Sequence, residues 1–312
     1  MNNELEWYKY PHPKAINNCT ALQHLTGQER LDYYNNLVEH RNALYPGLEF
    51  DEFWVEKLKV IDEDGYLIIK DFFDIELLKK LRDETENLLD NGEHLWQGQS
   101  SPQSEIRKTK NFTAINQPLL NVKSLLPIAF HEDLITLASH YYGCLPSIGG
   151  VNLRKSFVTD LPEQTTEIFH SDPNSIRFMK FFFYLNDVDV DGGPLCIVKG
   201  SFKNKFKGWD NSNVDGLDQN WQYKRWTAEQ IEAIYGKENV KYITANVGDL
   251  IIGNTVAFHR GTKCKTNDRL MLTIHVSPHT EFFQEPVFKM NKTDYNNLND
   301  IQKGYSDHLI KI

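Results

Sequence analysis

The spacing of apolar residues changes about halfway along the chain, from helical periods to short runs typical of strands. In the first part, apolar side chains recur at three- and four-residue intervals, which predicts helices. The predicted helices cover residues 27–45, 50–61, 76–89 and 127–142. Asp74 stands at an N-cap position, and Gly92 and Gly143 follow two helix ends. A short strand is predicted over 65–70, and residues 93–118 are polar without a clear period.

From residue 148 onward, short β-rich runs are bounded by Gly, Pro, Asn and Asp, a pattern that favours an antiparallel fold. The predicted strands cover residues 148–158, 177–186, 195–198, 241–244, 249–252 and 269–277. We find no repeat and no low-complexity linker, so residues 1–312 are interpreted as one domain. A helical N-terminal extension is expected over 1–60 and a β core over 148–280.

One long segment, residues 203–239, interrupts the β-rich part. It is polar and turn-rich, yet it holds Trp209, Trp221 and Trp226, and Thr227 is the predicted N-cap of a helix over 227–235. An ordered lid and a surface decoration are both consistent with this pattern. The segment also carries five basic residues: Lys203, Lys205, Lys207, Lys224 and Arg225. As a lid, it would offer a basic and aromatic surface to an anionic or cyclic substrate, with Trp209 and Trp226 as candidate substrate-binding residues. As a solvated charged loop, it would not.

The composition narrows the classes of protein. Forty per cent hydrophobic residues exclude an intrinsically disordered chain. No apolar run approaches the roughly 20 residues that span a bilayer. The polar, acidic N-terminus argues against a secretory signal, and the net charge of -9 argues against nucleic-acid binding. Four scattered cysteines without a C-x-x-C pair fit a reducing cytoplasm. We therefore expect a cytoplasmic protein that binds a small molecule and neither nucleic acid nor membrane.

The candidate chemistry begins at Phe169-His170-Ser171-Asp172-Pro173. On an extended backbone, His170 and Asp172 point to the same face. One imidazole and one carboxylate are two thirds of the facial triad that binds non-haem iron(II) and leaves coordination positions open. His259, which follows a Gly248-Asp249 turn and a buried strand, is the candidate third ligand. Arg269 opens the next buried strand and needs an anionic partner, for which a guanidinium suits a carboxylate.

Each of these residues alone has an ordinary structural explanation, but their order along the chain is distinctive. His170-x-Asp172 precedes a G-G-P-L turn at 192–195, Gly200-Ser201, the Gly248-Asp249 turn, His259 and finally Arg269. This series resembles the phytanoyl-CoA dioxygenase family of iron(II)/2-oxoglutarate oxygenases. The resemblance covers roughly residues 60–280. Lys199 stands where the family usually has Pro and Phe202 where it often has His, and neither position is a metal ligand.

The resemblance implies a mainly β fold with helical flank (α+β), a double-stranded β-helix or jelly roll, cupin-like, with the N-terminal helices packed on it. It implies that His170, Asp172 and His259 bind Fe(II) and that Arg269 pairs with the distal carboxylate of 2-oxoglutarate. Thr262 and Asn152 are further candidates for contacts with that cosubstrate. No catalytic side chain is expected beyond the metal centre.

The expected reaction consumes dioxygen and 2-oxoglutarate, releases succinate and CO2, and hydroxylates an unactivated C–H bond of an acyl or natural-product-like small molecule. Related halogenases replace the carboxylate ligand with a small residue, so Asp172 favours hydroxylation or another oxidation over halogenation. Two alternatives stay open: a cupin-type metalloenzyme that does not use 2-oxoglutarate, and a non-catalytic jelly-roll binding protein. The first would usually have three histidine ligands and no need of Arg269.

Overall fold

The computed structural model describes residues 27–172, 177–203, 224–278, 288–307 and 309–312. The α-helices are α1 (Gly27–Leu44), α2 (Glu52–Asp64), α3 (Ile75–Asn91), α4 (Gln103–Ile106), α5 (Pro118–Asn121), α6 (Leu126–Ala129), α7 (Glu132–Tyr142), α8 (Ala228–Tyr235), α9 (Lys292–Asn296) and α10 (Asp300–Tyr305). Short 3-10 turns occupy Trp96–Gly98, Lys123–Leu125, Thr165–Glu167 and Lys237–Asn239. None of the helices in these ranges is long and apolar enough to cross a membrane.

The β-strands are short, and most of them pair with antiparallel neighbours. They are β1 (Tyr66–Ile69), β2 (Phe112–Ala114), β3 (Ser147–Ser156), β4 (Met179–Tyr184), β5 (Leu195–Val198), β6 (Val240–Ile243), β7 (Leu250–Asn254), β8 (His259–Gly261), β9 (Arg269–Ser277), β10 (Lys289–Met290) and β11 (Ile310–Lys311). A six-stranded sheet has the order β1-β7-β4-β9-β3-β2, and a three-stranded sheet has the order β6-β5-β8.

Helix α3 begins and ends where the sequence places its caps. The carboxylate of Asp74 accepts a hydrogen bond from the backbone N–H of Glu76 at the start of α3, and Gly92 ends that helix in the left-handed conformation. The single helix predicted over 127–142 is wrong in one respect. The structure has two helices there, because the extended backbone of His131 separates α6 from α7. The imidazole of His131 accepts a hydrogen bond from the backbone N–H of Asp133 and so caps α7.

The six-stranded sheet has two faces with different partners. On one face, residues such as Val151, Leu153, Phe181 and Ile274 form the main core with apolar residues of the helices, including Leu78 and Leu134. The other face lies opposite the three-stranded sheet, and the two sheets share a second apolar cluster: Phe182, Tyr184, Leu195, Ile197, Ile243 and Ile251. Two facing antiparallel sheets with helices on one outer side confirm the predicted jelly roll with a helical flank.

Two strands of the six- and three-stranded sheets were not predicted. β2, within the aperiodic residues 93–118, pairs with β3 at the edge of the large sheet, and β8 is three residues long. Both are too short to show a period of their own, so strand pairing decides them. The large sheet also includes β1 and β2, which precede the predicted core of 148–280. Of the predicted lid, 204–223 lies outside the described residues, and α8 begins after Thr227 as expected.

Candidate metal centre

The two candidate histidines lie side by side on paired backbone segments. The N–H of His170 donates to the carbonyl of His259 at 3.0 Å, and the reverse bond is 2.8 Å. Residues that face each other in an antiparallel pair share one side. Both imidazoles therefore point into the barrel interior, which is the space between the two sheets, and their ring centroids are 4.3 Å apart. Backbone pairing therefore brings together two ligands that are 89 residues apart in the sequence.

Both imidazoles are held in the tautomer that binds a metal. Nδ1 of His170 is 2.9 Å from the carbonyl oxygen of Ile168, and Nδ1 of His259 is 2.9 Å from that of Ala257. Because a carbonyl oxygen only accepts, each Nδ1 carries the proton and each Nε2 keeps a free lone pair. Burial lowers the pKa of His170 to about 3, and His259 adds to the effect, so His170 is neutral at physiological pH.

The third candidate ligand, Asp172, is fixed by its backbone and by a neighbouring cation. Its N–H donates to the carbonyl of Thr255, and its Oδ2 lies 3.4 Å from Nε2 of His259. Burial alone would raise the pKa of Asp172, but Lys180 and the histidines outweigh it and hold this pKa well below its usual range. Asp172 is therefore ionised, and Nζ of Lys180 is 2.6 Å from its Oδ2.

The three side chains fit a divalent metal ion. One candidate ligand atom from each of His170, Asp172 and His259 lies within 4.8 Å of the other two. Two imidazoles and one carboxylate on one side of an ion would leave three positions of an octahedron for other ligands. The three side chains are therefore arranged as a facial triad requires, and their role as metal ligands stays a prediction.

Arg269 supplies a buried cation close to this centre. Its side chain is 2% exposed, and Nη2 donates to the hydroxyl of Ser156 at 3.1 Å. Among the residues that the structure describes, Nε and Nη1 are buried and have no hydrogen-bond partner. A Cβ on Gly261 would lie 3.1 Å from Nη2, so the guanidinium lies directly against the strand of His259, two residues past that ligand. A buried guanidinium with two orphaned donors fits a carboxylate ligand.

Comparisons with known proteins agree with this geometry. The sequence profile of the family described as phytanoyl-CoA dioxygenase matches residues 61–271. The chain belongs to the phytanoyl-CoA dioxygenase family. Membership confirms the prediction of an iron- and 2-oxoglutarate-dependent oxygenase, and the His–Asp–His centre agrees with iron, 2-oxoglutarate and dioxygen as cofactor and cosubstrates. A comparison with curated protein sequences finds no match.

Solved structures with the same fold include SnoN and HygX. SnoN, a non-haem α-ketoglutarate-dependent epimerase from nogalamycin biosynthesis, matches with TM-score 0.51 and 15% identity over 72% of this chain and 81% of SnoN. HygX from Streptomyces hygroscopicus, solved with nickel, 2-oxoglutarate and hygromycin B, matches with TM-score 0.50 and 15% identity over 76% of this chain and 90% of HygX. At these identities the likeness shows the shared fold.

Two further residues, Thr262 and Asn152, are predicted to contact the cosubstrate. Thr262 is buried, and its hydroxyl donates to the carbonyl of Pro194 at 2.7 Å, which ties β8 to the turn before β5. Asn152 lies on β3 opposite Thr273 of β9, and its side chain is exposed. It shares the interior side of β3 with Ser156, whose hydroxyl accepts a hydrogen bond from Arg269. Ser156 was not singled out in the sequence. The roles of Thr262 and Asn152 stay predictions.

The candidate substrate residue Trp226 packs behind the metal ligands. It is 8% exposed and belongs to a small cluster with Phe169, Phe258 and Ile231. Its backbone N–H donates to the carbonyl of Phe169, and its ring packs edge-on against Phe258 with the ring centroids 6.1 Å apart. Phe169 and Phe258 directly precede the two histidines, so this cluster supports their backbone. Trp209, the other candidate, lies outside the described residues.

Lys180 is a site residue that the sequence analysis missed. It stands opposite His275 on β9 and faces the barrel interior, with a side chain that is 12% exposed. A single basic residue in the otherwise apolar strand Met179–Tyr184 is the signal that could have indicated it. Its ammonium lies against a carboxylate oxygen of Asp172, so it orients this ligand.

Proposed function

We propose that this protein is an Fe(II)/2-oxoglutarate-dependent dioxygenase that hydroxylates an unactivated C–H bond of a small, acyl or natural-product-like molecule, with release of succinate and CO2. The observation that carries the proposal is the pairing of a His–Asp–His triad with Arg269, a buried guanidinium whose Nε and Nη1 have no partner in the described part of the chain. A metalloenzyme without 2-oxoglutarate gives no reason to bury such a group.

The side chains divide the work between binding and orientation. His170, Asp172 and His259 would hold iron, and their Nδ1–carbonyl bonds and the ammonium of Lys180 keep the three ligand atoms aimed at one point. Arg269 would pair with the distal carboxylate of 2-oxoglutarate and so fix the direction in which its keto-acid end approaches the metal. Iron and 2-oxoglutarate together supply the oxidising chemistry that protein side chains lack.

The apolar lining of the barrel contributes by excluding water. Phe182, Tyr184 and Ile251 line the interior between the two sheets and are nearly inaccessible to solvent. A dry interior strengthens the charge pairing of Arg269 and limits side reactions of the oxidant with water.

The fold comparisons support a small-molecule substrate. SnoN belongs to nogalamycin biosynthesis and HygX was solved with hygromycin B, so this fold accommodates natural products. Asp172 occupies the carboxylate position of the triad, which favours hydroxylation over halogenation. A basic and aromatic lid over 203–239, with Trp209 in it, remains part of the proposal.

The test is an anaerobic titration of the apoprotein with Fe(II) and 2-oxoglutarate, monitored by the visible charge-transfer band of an iron–2-oxo-acid chelate. Oxygen uptake and succinate release are then measured with and without 2-oxoglutarate across a panel of small molecules. We expect both to require 2-oxoglutarate and to be lost in Asp172→Ala. Oxygen uptake without 2-oxoglutarate would favour the cupin-type alternative, and absence of metal binding would favour the binding protein.

A further inference from the structure

A second arginine, Arg154, lies next to Arg269 in the barrel. On the paired strands β3 and β9, Ser156 stands opposite Arg269 and Arg154 stands opposite Met271. Met271 packs against the interior apolar cluster, so Arg154 is on the interior side of the sheet. Arg154 and Arg269 are thus diagonal neighbours on one face, a separation that long side chains can bridge.

The contacts of Arg154 leave its charge unpaired. Nη1 donates to the hydroxyl of Thr166 at 2.6 Å, and the guanidinium stacks on the ring of Phe112, 3.5 Å from its centroid. Nε is buried and has no hydrogen-bond partner among the described residues, and within the same residues no carboxylate forms an ion pair with Arg154. Its partners are therefore one neutral hydroxyl and one aromatic face.

The surrounding charges make this arrangement costly without a ligand. Burial lowers the pKa of Arg154 to about 9, and repulsion from Arg269 adds to the effect. The nearby carboxylate of Glu167 opposes this shift, but its Oε2 already accepts hydrogen bonds from the side chain of Asn111 and the N–H of Gln164. Two adjacent buried guanidinium groups with orphaned nitrogens call for an anion between them.

We propose that Arg154 is a second binding residue for the distal carboxylate of 2-oxoglutarate, so that the pocket selects dicarboxylic over monocarboxylic 2-oxo acids. The proposal rests on the proposed function, because it requires 2-oxoglutarate as cosubstrate. A carboxylate has about four lone-pair positions on two oxygens. It can therefore accept from Nε and Nη1 of Arg269 and from Nε of Arg154 at once.

A purely structural role makes a different prediction. Through Thr166, Arg154 contacts the 3-10 turn that precedes Phe169–Asp172. If Arg154 served only to hold this turn, its loss would disturb the metal ligands and lower the affinity for every 2-oxo acid by the same factor. The ratio of affinities for two ligands that differ only in the distal carboxylate therefore separates the two roles.

The experiment measures anaerobic binding of 2-oxoglutarate and of 2-oxopentanoate to the Fe(II)-loaded full chain by the charge-transfer band. The two ligands share the chelating keto acid, and 2-oxopentanoate lacks the distal carboxylate. In Arg154→Met we expect 2-oxoglutarate to bind roughly tenfold to hundredfold more weakly, as for a lost hydrogen bond to a charged group. The affinity for 2-oxopentanoate should change by less than about twofold, since it depends on no such bond. Arg154→Lys, which keeps the charge, should lie between wild type and Arg154→Met.

The control is Arg177→Met. Arg177 also stacks on an aromatic ring, that of Tyr141, but it pairs with Asp62 away from the pocket. This control should leave the affinity ratio unchanged. An equal loss for both ligands in Arg154→Met, or no loss, would overturn the inference while wild-type binding still upheld the proposed function. If Arg154→Met fails to fold, the ratio in Arg154→Lys decides, and an unchanged ratio there refutes it. Absence of any band in the wild type would sink both proposals together.

Discussion

Replacing Arg269 with methionine should leave the ligand-free protein at least as stable as the wild type, while removing its stabilisation by 2-oxoglutarate. Arg269 is 2% exposed, and within the described structure its Nε and Nη1 are buried without partners. Each such group costs about 1–3 kcal/mol, whereas the single bond to Ser156 contributes about 1 kcal/mol. Methionine has a similar length and adapts to irregular space. The variant should therefore gain about 1–5 kcal/mol without ligand.

A matched buried arginine should behave in the opposite way. Arg41 is 4% exposed, and it pairs with Asp307 and donates to the carbonyls of Leu145, Pro146 and Gly304. Arg41→Met removes the cation that pairs with Asp307, which keeps hydroxyl bonds from Ser147 and Tyr45, and losing that pair costs about 3–5 kcal/mol. Arg41 and Arg269 are buried to nearly the same extent. The opposite signs of the two stability changes therefore come from the ion pair that Arg41 has and Arg269 lacks among the described residues.

The assay is thermal unfolding of the Mn(II)-loaded, non-turnover protein with and without 2-oxoglutarate. At a ligand concentration about 100 times the dissociation constant, 2-oxoglutarate should stabilise the wild type by about 2.7 kcal/mol. Arg269→Met should show no such gain at that concentration. If ligand-free Arg269→Met loses as much stability as Arg41→Met, the guanidinium is not orphaned. If 2-oxoglutarate still stabilises this variant, Arg269 is not its carboxylate partner.

Three other predictions concern the histidines, the cluster behind them and the turn beside them. The folded pKa of His170 is lowered to about 3 from about 6.5 in an unfolded chain. The unfolded state therefore binds the extra proton, and the stability of the metal-free protein should fall as pH drops from 6.5 towards 3. The free energy of unfolding, measured by urea denaturation across this range, should depend less steeply on pH in His170→Asn than in the wild type. An equal dependence on pH in both proteins would contradict the assignment. Trp226→Ala should destabilise the protein by about 3–5 kcal/mol and weaken metal binding, because it opens a cavity behind both histidines. A change confined to the KM of the primary substrate would instead restore Trp226 to the substrate site. Thr262→Val should lower stability by about 1 kcal/mol through its lost bond to Pro194. A raised KM for 2-oxoglutarate with unchanged stability would establish the predicted cosubstrate contact.

The site shows where sequence reasoning is effective. His170 and Asp172 are two residues apart, and this spacing alone places them on one side of an extended segment. Arg269 opens an apolar strand, and its burial follows from that position. These inferences need only local geometry and the cost of burying charge, both of which are properties of a short segment.

Local geometry does not decide the orientation of residues that were singled out by composition or by nearness in the sequence. Trp226 lies in a basic and aromatic segment that suggests a substrate surface, yet its ring belongs to the cluster behind the metal ligands. Thr262 is close to His259 in sequence, but its hydroxyl bonds to Pro194, 68 residues away. The side to which these residues point depends on backbone pairing with distant segments.

The sequence by itself therefore determined the class of fold, the caps of α3, the candidate metal ligands and the family, because these follow from periodicity, turn chemistry and residue order. Only the tertiary structure decided that β8 exists, that Lys180 orients Asp172, and that Arg154 lies beside Arg269. Each depends on strand register, which is set by long-range packing of two sheets. A shift of register by one residue would turn Arg154 away from the barrel interior without changing a single letter of the sequence.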